Sequence, residues 1–140
     1  MENTEIQTLL RQQGLRLTQV RQALIAFVAG QAKPLTANQV LTSLQQQFPS
    51  LHKTTVYREL ETLTNRDILT TVDFGDGLKR FEQTGEHHHH IVCNDCQSIQ
   101  DIPIDPNICR RQEQLAKRHG FQKIQHSFEF FGLCSRCSTT

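Results

Sequence analysis

The sequence has no run of about 18 apolar residues and no basic-then-apolar leader, its first residues reading MENTEIQ. Neither a membrane-spanning helix nor a secretory signal is therefore expected, and the chain is read as cytoplasmic with no membrane partner. Net charge is also scarce, +1 at pH 7 over 140 residues, so bulk charge announces no partner. An even cysteine count is missing too. Five cysteines cannot all pair within one chain, and in a reducing compartment they argue for metal or redox chemistry rather than a disulfide framework. One further absence is local. No acidic residue lies between Glu5 and Glu59, whereas Arg11, Arg16, Arg21, Lys33, Lys53 and Arg58 all do. That surface suits a polyanion, the ordinary alternative being solvated charges scattered over helices.

What is there divides into two halves. From Leu15 to Gln83 the breakers Gly30, Pro34, Pro49 and Gly75-Asp76-Gly77 mark off three helices and a hairpin. The first helix, VRQALIAFVAG, gathers Val20, Leu24, Ile25, Phe27 and Val28 on one face. The second starts at Thr36 as N-cap and buries Val40, Leu41 and Leu44. The third, KTTVYRELETLTNRD, spaces Val56, Leu60 and Leu63 into a buried stripe. At 100° per residue, Thr54, Arg58, Glu61 and Asn65 then lie on the outer face with Tyr57 on its flank, a polar surface of the kind that reads a major groove. The segment ILTTVDFGDGLKRFE, carrying Lys79 and Arg80, reads as a two-stranded wing. The expected class is α+β: a winged-helix DNA-binding domain over residues 1–84 and a small α/β domain over 85–140.

The second half carries metal chemistry. Cys93-Asn94-Asp95-Cys96 and Cys134-Ser135-Arg136-Cys137 offer four thiolates, the tetrahedral complement of a structural zinc. A thioredoxin-like reading would need a helix after the first cysteine of a pair, and Cys137 is almost at the chain end. A zinc deaminase would need HxE with PCxxC and an open coordination position. Between the pairs, Asp105-Pro106 opens a helix that Gly120 ends, and Ile124, His126, Phe128 and Phe130 alternate as one face of a strand. In an extended HHHH, His87 and His89 face one way, His88 and His90 the other. His87, His89, Cys109 and His126 would make a second tetrahedral site, whose softness favours zinc over iron or manganese. Two plainer readings stand beside it: His126 as a hydrogen-bonded core residue and Cys109 as a small buried apolar one.

The segments RLTQVRQALI, TTVYRELETL, HHHHIVCNDC, AKRHGF, HSFEFFGLC and the final CxxC, in this order, resemble the ferric uptake regulator family of metal-dependent repressors. The resemblance spans nearly the whole chain. It implies a winged helix joined to an α/β dimerisation domain, and a homodimer that binds double-stranded inverted-repeat operator DNA when metallated. By position it assigns Cys93, Cys96, Cys134 and Cys137 to structural zinc. It likewise assigns Arg16, Tyr57 and Arg58 to DNA, and His87, His89, Cys109 and His126 to a sensing site. The iron-responsive pattern usually has aspartate in place of His89 and glutamate in place of Cys109. Both departures soften the site, and the resemblance points to the zinc uptake branch, with no organic cofactor and no enzymatic activity. Glu82, His88 and His90 remain as donors for a further, incomplete site. Iron, manganese or peroxide sensing is the nearest alternative; a zinc-dependent enzyme and a zinc storage or adaptor protein are alternatives of another class.

Overall fold

The computed structural model describes residues 1–85, 89–124, 126 and 128–139. Contacts divide the chain into two units, Met1–Gly85 and Glu86–Thr140. None of the helices among the described residues is long and apolar enough to cross a membrane.

The first unit opens with α1 (Asn3–Gln12), which the sequence pattern did not bring out. Glu5 accepts the Glu2 backbone N–H at 2.9 Å, and Ile6 and Leu10, one turn apart, are buried. Next comes α2 (Gln19–Ala29), started by the Thr18 hydroxyl accepting from the Arg21 N–H. β1 (Leu35–Thr36) leads into α3 (Ala37–Leu44), where Thr36 and Gln39 satisfy each other's backbone N–H groups as a capping box. α4 (Lys53–Asn65) is followed by the strands β2 (Leu69–Asp73) and β3 (Lys79–Gln83). The antiparallel sheet has the order β1-β3-β2. Its hairpin turns through Gly75 and Gly77, both at positive φ, with Asp73 and Asp76 accepting the Gly75 and Leu78 N–H groups. The core joins all these elements: Leu24 and Ile25 from α2, Val40 and Leu44 from α3, Val56, Leu60 and Leu63 from α4, and Leu69 and Phe81 from the sheet. Leu41 and Phe27 pack against it only partly buried.

The second unit has β4 (His89–Cys93), β5 (Ile99–Ile102), α5 (Pro106–Arg118) and β6 (Glu129–Gly132). β4 is central, antiparallel to β5 and parallel to β6. The alternation from Ile124 to Phe130 suggested one strand. The ladder instead begins at His90↔Glu129, because the Phe128 N–H is taken by His89 Nδ1 at 3.3 Å and is not available to a neighbouring strand. His126 and Phe128 therefore precede the strand as a cluster of rings against His89.

Candidate metal centres and nucleic-acid face

The two CxxC segments follow the ends of the neighbouring parallel strands β4 and β6, where Cys93 pairs with Gly132. Asn94 N–H bonds to the Gly132 carbonyl at 2.8 Å, tying the two turns together. All four Sγ atoms of Cys93, Cys96, Cys134 and Cys137 lie within 4.8 Å of one another. A tetrahedral zinc with Zn–S of about 2.3 Å separates its sulfurs by roughly 3.8 Å, and Cys96 and Cys134 stand at 3.8 Å. Backbone N–H groups of Cys134 and Cys96 aim at Cys93 and bring its thiol down to about 6. Those of Cys137 and Arg136 lower Cys134, whereas Cys137, beside the Cys134 sulfur, is raised. Four thiolates this close would repel one another. A bound cation would resolve that conflict, and the donor set fits zinc.

The second cluster draws on three separate stretches. β4 contributes His89, the first turn of α5 contributes Cys109, and the segment before β6 contributes His126; one donor atom from each lies within 4.8 Å of the others. Asp105 caps α5 by accepting the Asn107 N–H, and Pro106 occupies its first turn, which directs Cys109 inward. His89 and Cys109 are 3 % and 6 % exposed. His89 Nε2 lies 3.4 Å from Cys109 Sγ. Its Nδ1 accepts the Phe128 N–H, so the ring is held from both ends. The His89 and His126 rings stack with centroids 5.7 Å apart. Burying an imidazole, a thiol and a second imidazole side by side is unfavourable for plain core packing and suits a soft divalent cation. His87, expected as the fourth donor, and His88 lie outside the described residues. Of the further set, His90 is buried on β4 with Nε2 3.6 Å from Asp101 Oδ1, and Glu82 sits half-buried on β3 of the first unit. Asp101 was not singled out in the sequence, yet it is the cross-strand partner of His90.

In the first unit, Thr54, Tyr57, Arg58, Glu61 and Asn65 are exposed on α4, opposite the buried Val56, Leu60 and Leu63. Lys53 Nζ stands 5.5 Å from the Tyr57 ring centroid. A groove of about 670 Å³ runs between α4, the start of α3 and the hairpin, lined among others by Asn38, Tyr57, Asn65 and Lys79. Arg16 is exposed just before α2. Two of the expected basic residues are otherwise engaged. Arg21 makes a two-pronged pair with Glu59 at 2.8 and 3.1 Å, which removes it from the surface available to a polyanion. Arg80 pairs with Asp76 at 2.8 Å over the Phe74 ring, and its hydrogen bond holds the Asp76 carboxyl below the usual range.

The model of the ferric uptake regulator family matches residues 12–131. The chain is 32% identical over 133 residues to the ferric uptake regulation protein of Campylobacter jejuni, covering 93% of this chain and 84% of that protein. It is 31% identical over 131 residues to the peroxide-responsive repressor PerR of Staphylococcus saprophyticus, covering 93% and 87%. Among solved structures, the Helicobacter pylori ferric uptake regulator, described with three functional metal binding sites, superposes with a TM-score of 0.78 at 23% identity, covering 100% of this chain and 96% of that one. With two clusters of metal-binding side chains in place and a family match over most of its length, the chain belongs to the ferric uptake regulator family of metal-responsive regulators.

Proposed function

We propose that the protein is a zinc-responsive, dimeric transcriptional repressor that binds an inverted-repeat operator when its second site is loaded, and so controls zinc uptake genes. The observation that carries this reading is the meeting of His89, Cys109 and His126. Imidazole and thiolate select zinc where carboxylates would admit harder cations. His87 is assigned as the fourth ligand, and the four cysteines hold a separate, structural zinc.

Residues 1–84 then act as the winged-helix DNA-binding domain, with Arg16, Thr54, Tyr57 and Arg58 meeting the operator. Residues 85–140 act as the dimerisation domain, whose exposed Ile91, Phe130, Phe131 and Leu133 are apolar side chains that a second copy would cover. Zinc at the second site would supply a fixed positive centre joining β4, α5 and the segment before β6. The chain's contribution is to hold the donors buried and close together, so that the arrangement competent for DNA gains by its greater affinity for the metal. A cytoplasmic location follows from that role.

Operator binding followed by anisotropy, titrated with zinc, iron(II) and manganese(II) under a competing chelator, tests this. Zinc should act at the lowest free concentration. Cys109→Ser should move the zinc midpoint upward by more than the roughly 10- to 100-fold typical of outer-shell changes, with the metal-saturated affinity and the four-cysteine zinc intact. A Cys109→Ser protein that titrates like its parent would pass the sensing role to Glu82, His88 and His90. Iron, manganese or peroxide sensing is the second reading, iron and peroxide being the signals named for the relatives quoted above. A zinc enzyme or a storage protein would bind DNA no better with metal than without.

A further inference from the structure

α5 turns an unusual stripe inward. Of its thirteen residues, only Cys109 is buried, with Glu113 and Ala116 half-buried. Those three positions follow one another by four and three residues, the spacing of a single helical face. An amphipathic helix normally fills such a stripe with apolar side chains, and α5 has apolar residues to offer: Ile108 and Leu115 are instead about half exposed, at 46 % and 50 %. A glutamate thus takes the middle of this half-buried stripe, its side chain 43 % exposed, one turn beyond the site cysteine. Its Oε1 lies 4.0 Å from Nδ1 of His126.

Glu113 does not belong to the convergent donor set, which closes on His89, Cys109 and His126. Its place is behind one of those donors. A histidine that ligates a metal through one ring nitrogen carries its proton on the other, and a carboxylate on that proton fixes both the tautomer and the ring orientation while making the ligating nitrogen more basic. The contrast with His89 is instructive: the Phe128 N–H supports that ring from the backbone, whereas the His126 ring has a side chain at its Nδ1 edge.

We propose that Glu113 is a positioning residue for the second metal site: its carboxylate, at 4.0 Å just beyond hydrogen-bond reach, closes on the Nδ1–H of His126 when the metal binds, so that Nε2 is the nitrogen presented to the metal. This rests on the assignment of His89, Cys109 and His126 as metal donors. It adds that the metal affinity of the cluster is set in part by a residue that never touches the ion. Because Glu113 and Cys109 share one helix face, the same turn of α5 supplies a ligand and the support for another.

The test uses the full-length protein with its four-cysteine zinc in place. Competition with a chelator measures zinc at the second site for the parent, Glu113→Ala, Glu113→Gln and Cys109→Ser. Glu113→Ala should bind about 10- to 100-fold more weakly, with circular dichroism and the content of the other zinc unchanged. Glu113→Gln, whose amide oxygen still accepts the Nδ1–H, should recover most of the loss. With cobalt(II) at saturation, the visible absorption bands of Glu113→Ala should match the parent, since the directly bound atoms are the same. Glu113→Ala that titrates like the parent overturns the proposal. So does a cobalt spectrum that changes in Glu113→Ala, which would make the carboxylate a ligand. A parent that takes up no second metal removes the donor assignment itself. A parent that does, weakened by Cys109→Ser and indifferent to Glu113→Ala, removes only the role of Glu113.

Discussion

The two units are built on opposite terms. In Met1–Gly85 the buried side chains are aliphatic or aromatic and come from every helix and the sheet, with Leu24, Val40, Val56 and Leu63 at 0 % exposure. Among the described residues of Glu86–Thr140, the buried ones are Val92, Cys93, Cys109, His89 and His90. Four of those five carry a nitrogen or sulfur able to bind a metal. Apolar burial stabilises the first unit at roughly 25 cal/mol per Å², and the second has little of that to draw on. A domain of this size without a sufficient core requires a staple. One half therefore folds because it excludes water, and on the proposed reading the other folds because its donors converge on cations.

The comparison is broken most severely through the four-cysteine cluster. Structural zinc contributes about 10–16 kcal/mol of apparent binding free energy in small zinc domains. Cys96→Ser should therefore unfold Glu86–Thr140 and abolish the proposed dimer, while hydrogen exchange in α2 and α4 stays slow. Protection retained throughout β4 and β6 would show that the second unit has a sufficient core after all. The converse substitution is Leu60→Ala, which removes a fully buried side chain and should destabilise the first unit by about 2–5 kcal/mol. Zinc content measured by elemental analysis should not change. Equal losses of zinc and of first-unit stability would mean that the two halves are not separately held. The mildest change separates function from both. Arg58→Ala, on the exposed face of α4, should weaken operator binding by about 1–3 kcal/mol if it reads a base, or flatten the salt dependence if it meets phosphate. Thermal midpoints should be unmoved. Operator affinity equal to the parent's at every salt concentration would place the DNA on another face.

How much of this was legible in the sequence depends on how local each signal is. α2, α3 and α4 carry caps and a 3.6-residue apolar period, and both fall within a few turns. α1 escaped because its buried stripe is short, Ile6 and Leu10 with Leu9 partly covered, within an otherwise polar segment. The meeting of the four cysteines was legible because paired CxxC spacing already implies convergent sulfurs. The alternation at Ile124, His126 and Phe128 misled because period two also arises where rings gather around a site, and only the register of β6 on β4 distinguishes the two. Arg21 was read as a surface charge for want of its partner: Glu59 lies just past the acid-free stretch in the chain but against Arg21 in the fold. Glu113 is a tertiary fact of the same sort. One charge among several on a polar helix, it differs from its neighbours only in the direction it faces.

The parallel pairing of β4 with β6 has a consequence for the order in which this half assembles. His90 meets Glu129 and Cys93 meets Gly132, so the ladder cannot start until β5, α5 and the segment after it have been looped out. Loop closure of that kind precedes any reward from the contacts it makes, and topologies dominated by it fold slowly. Cys93 and Cys96, close in sequence, can take hold of a metal before the loop closes. The returning chain then need only deliver Cys134 and Cys137 to a waiting partner, with Gly132 beside Cys93 as a result. If the four cysteines hold zinc as proposed, the newly made chain in a cell short of zinc would linger with its first half folded and its second half open.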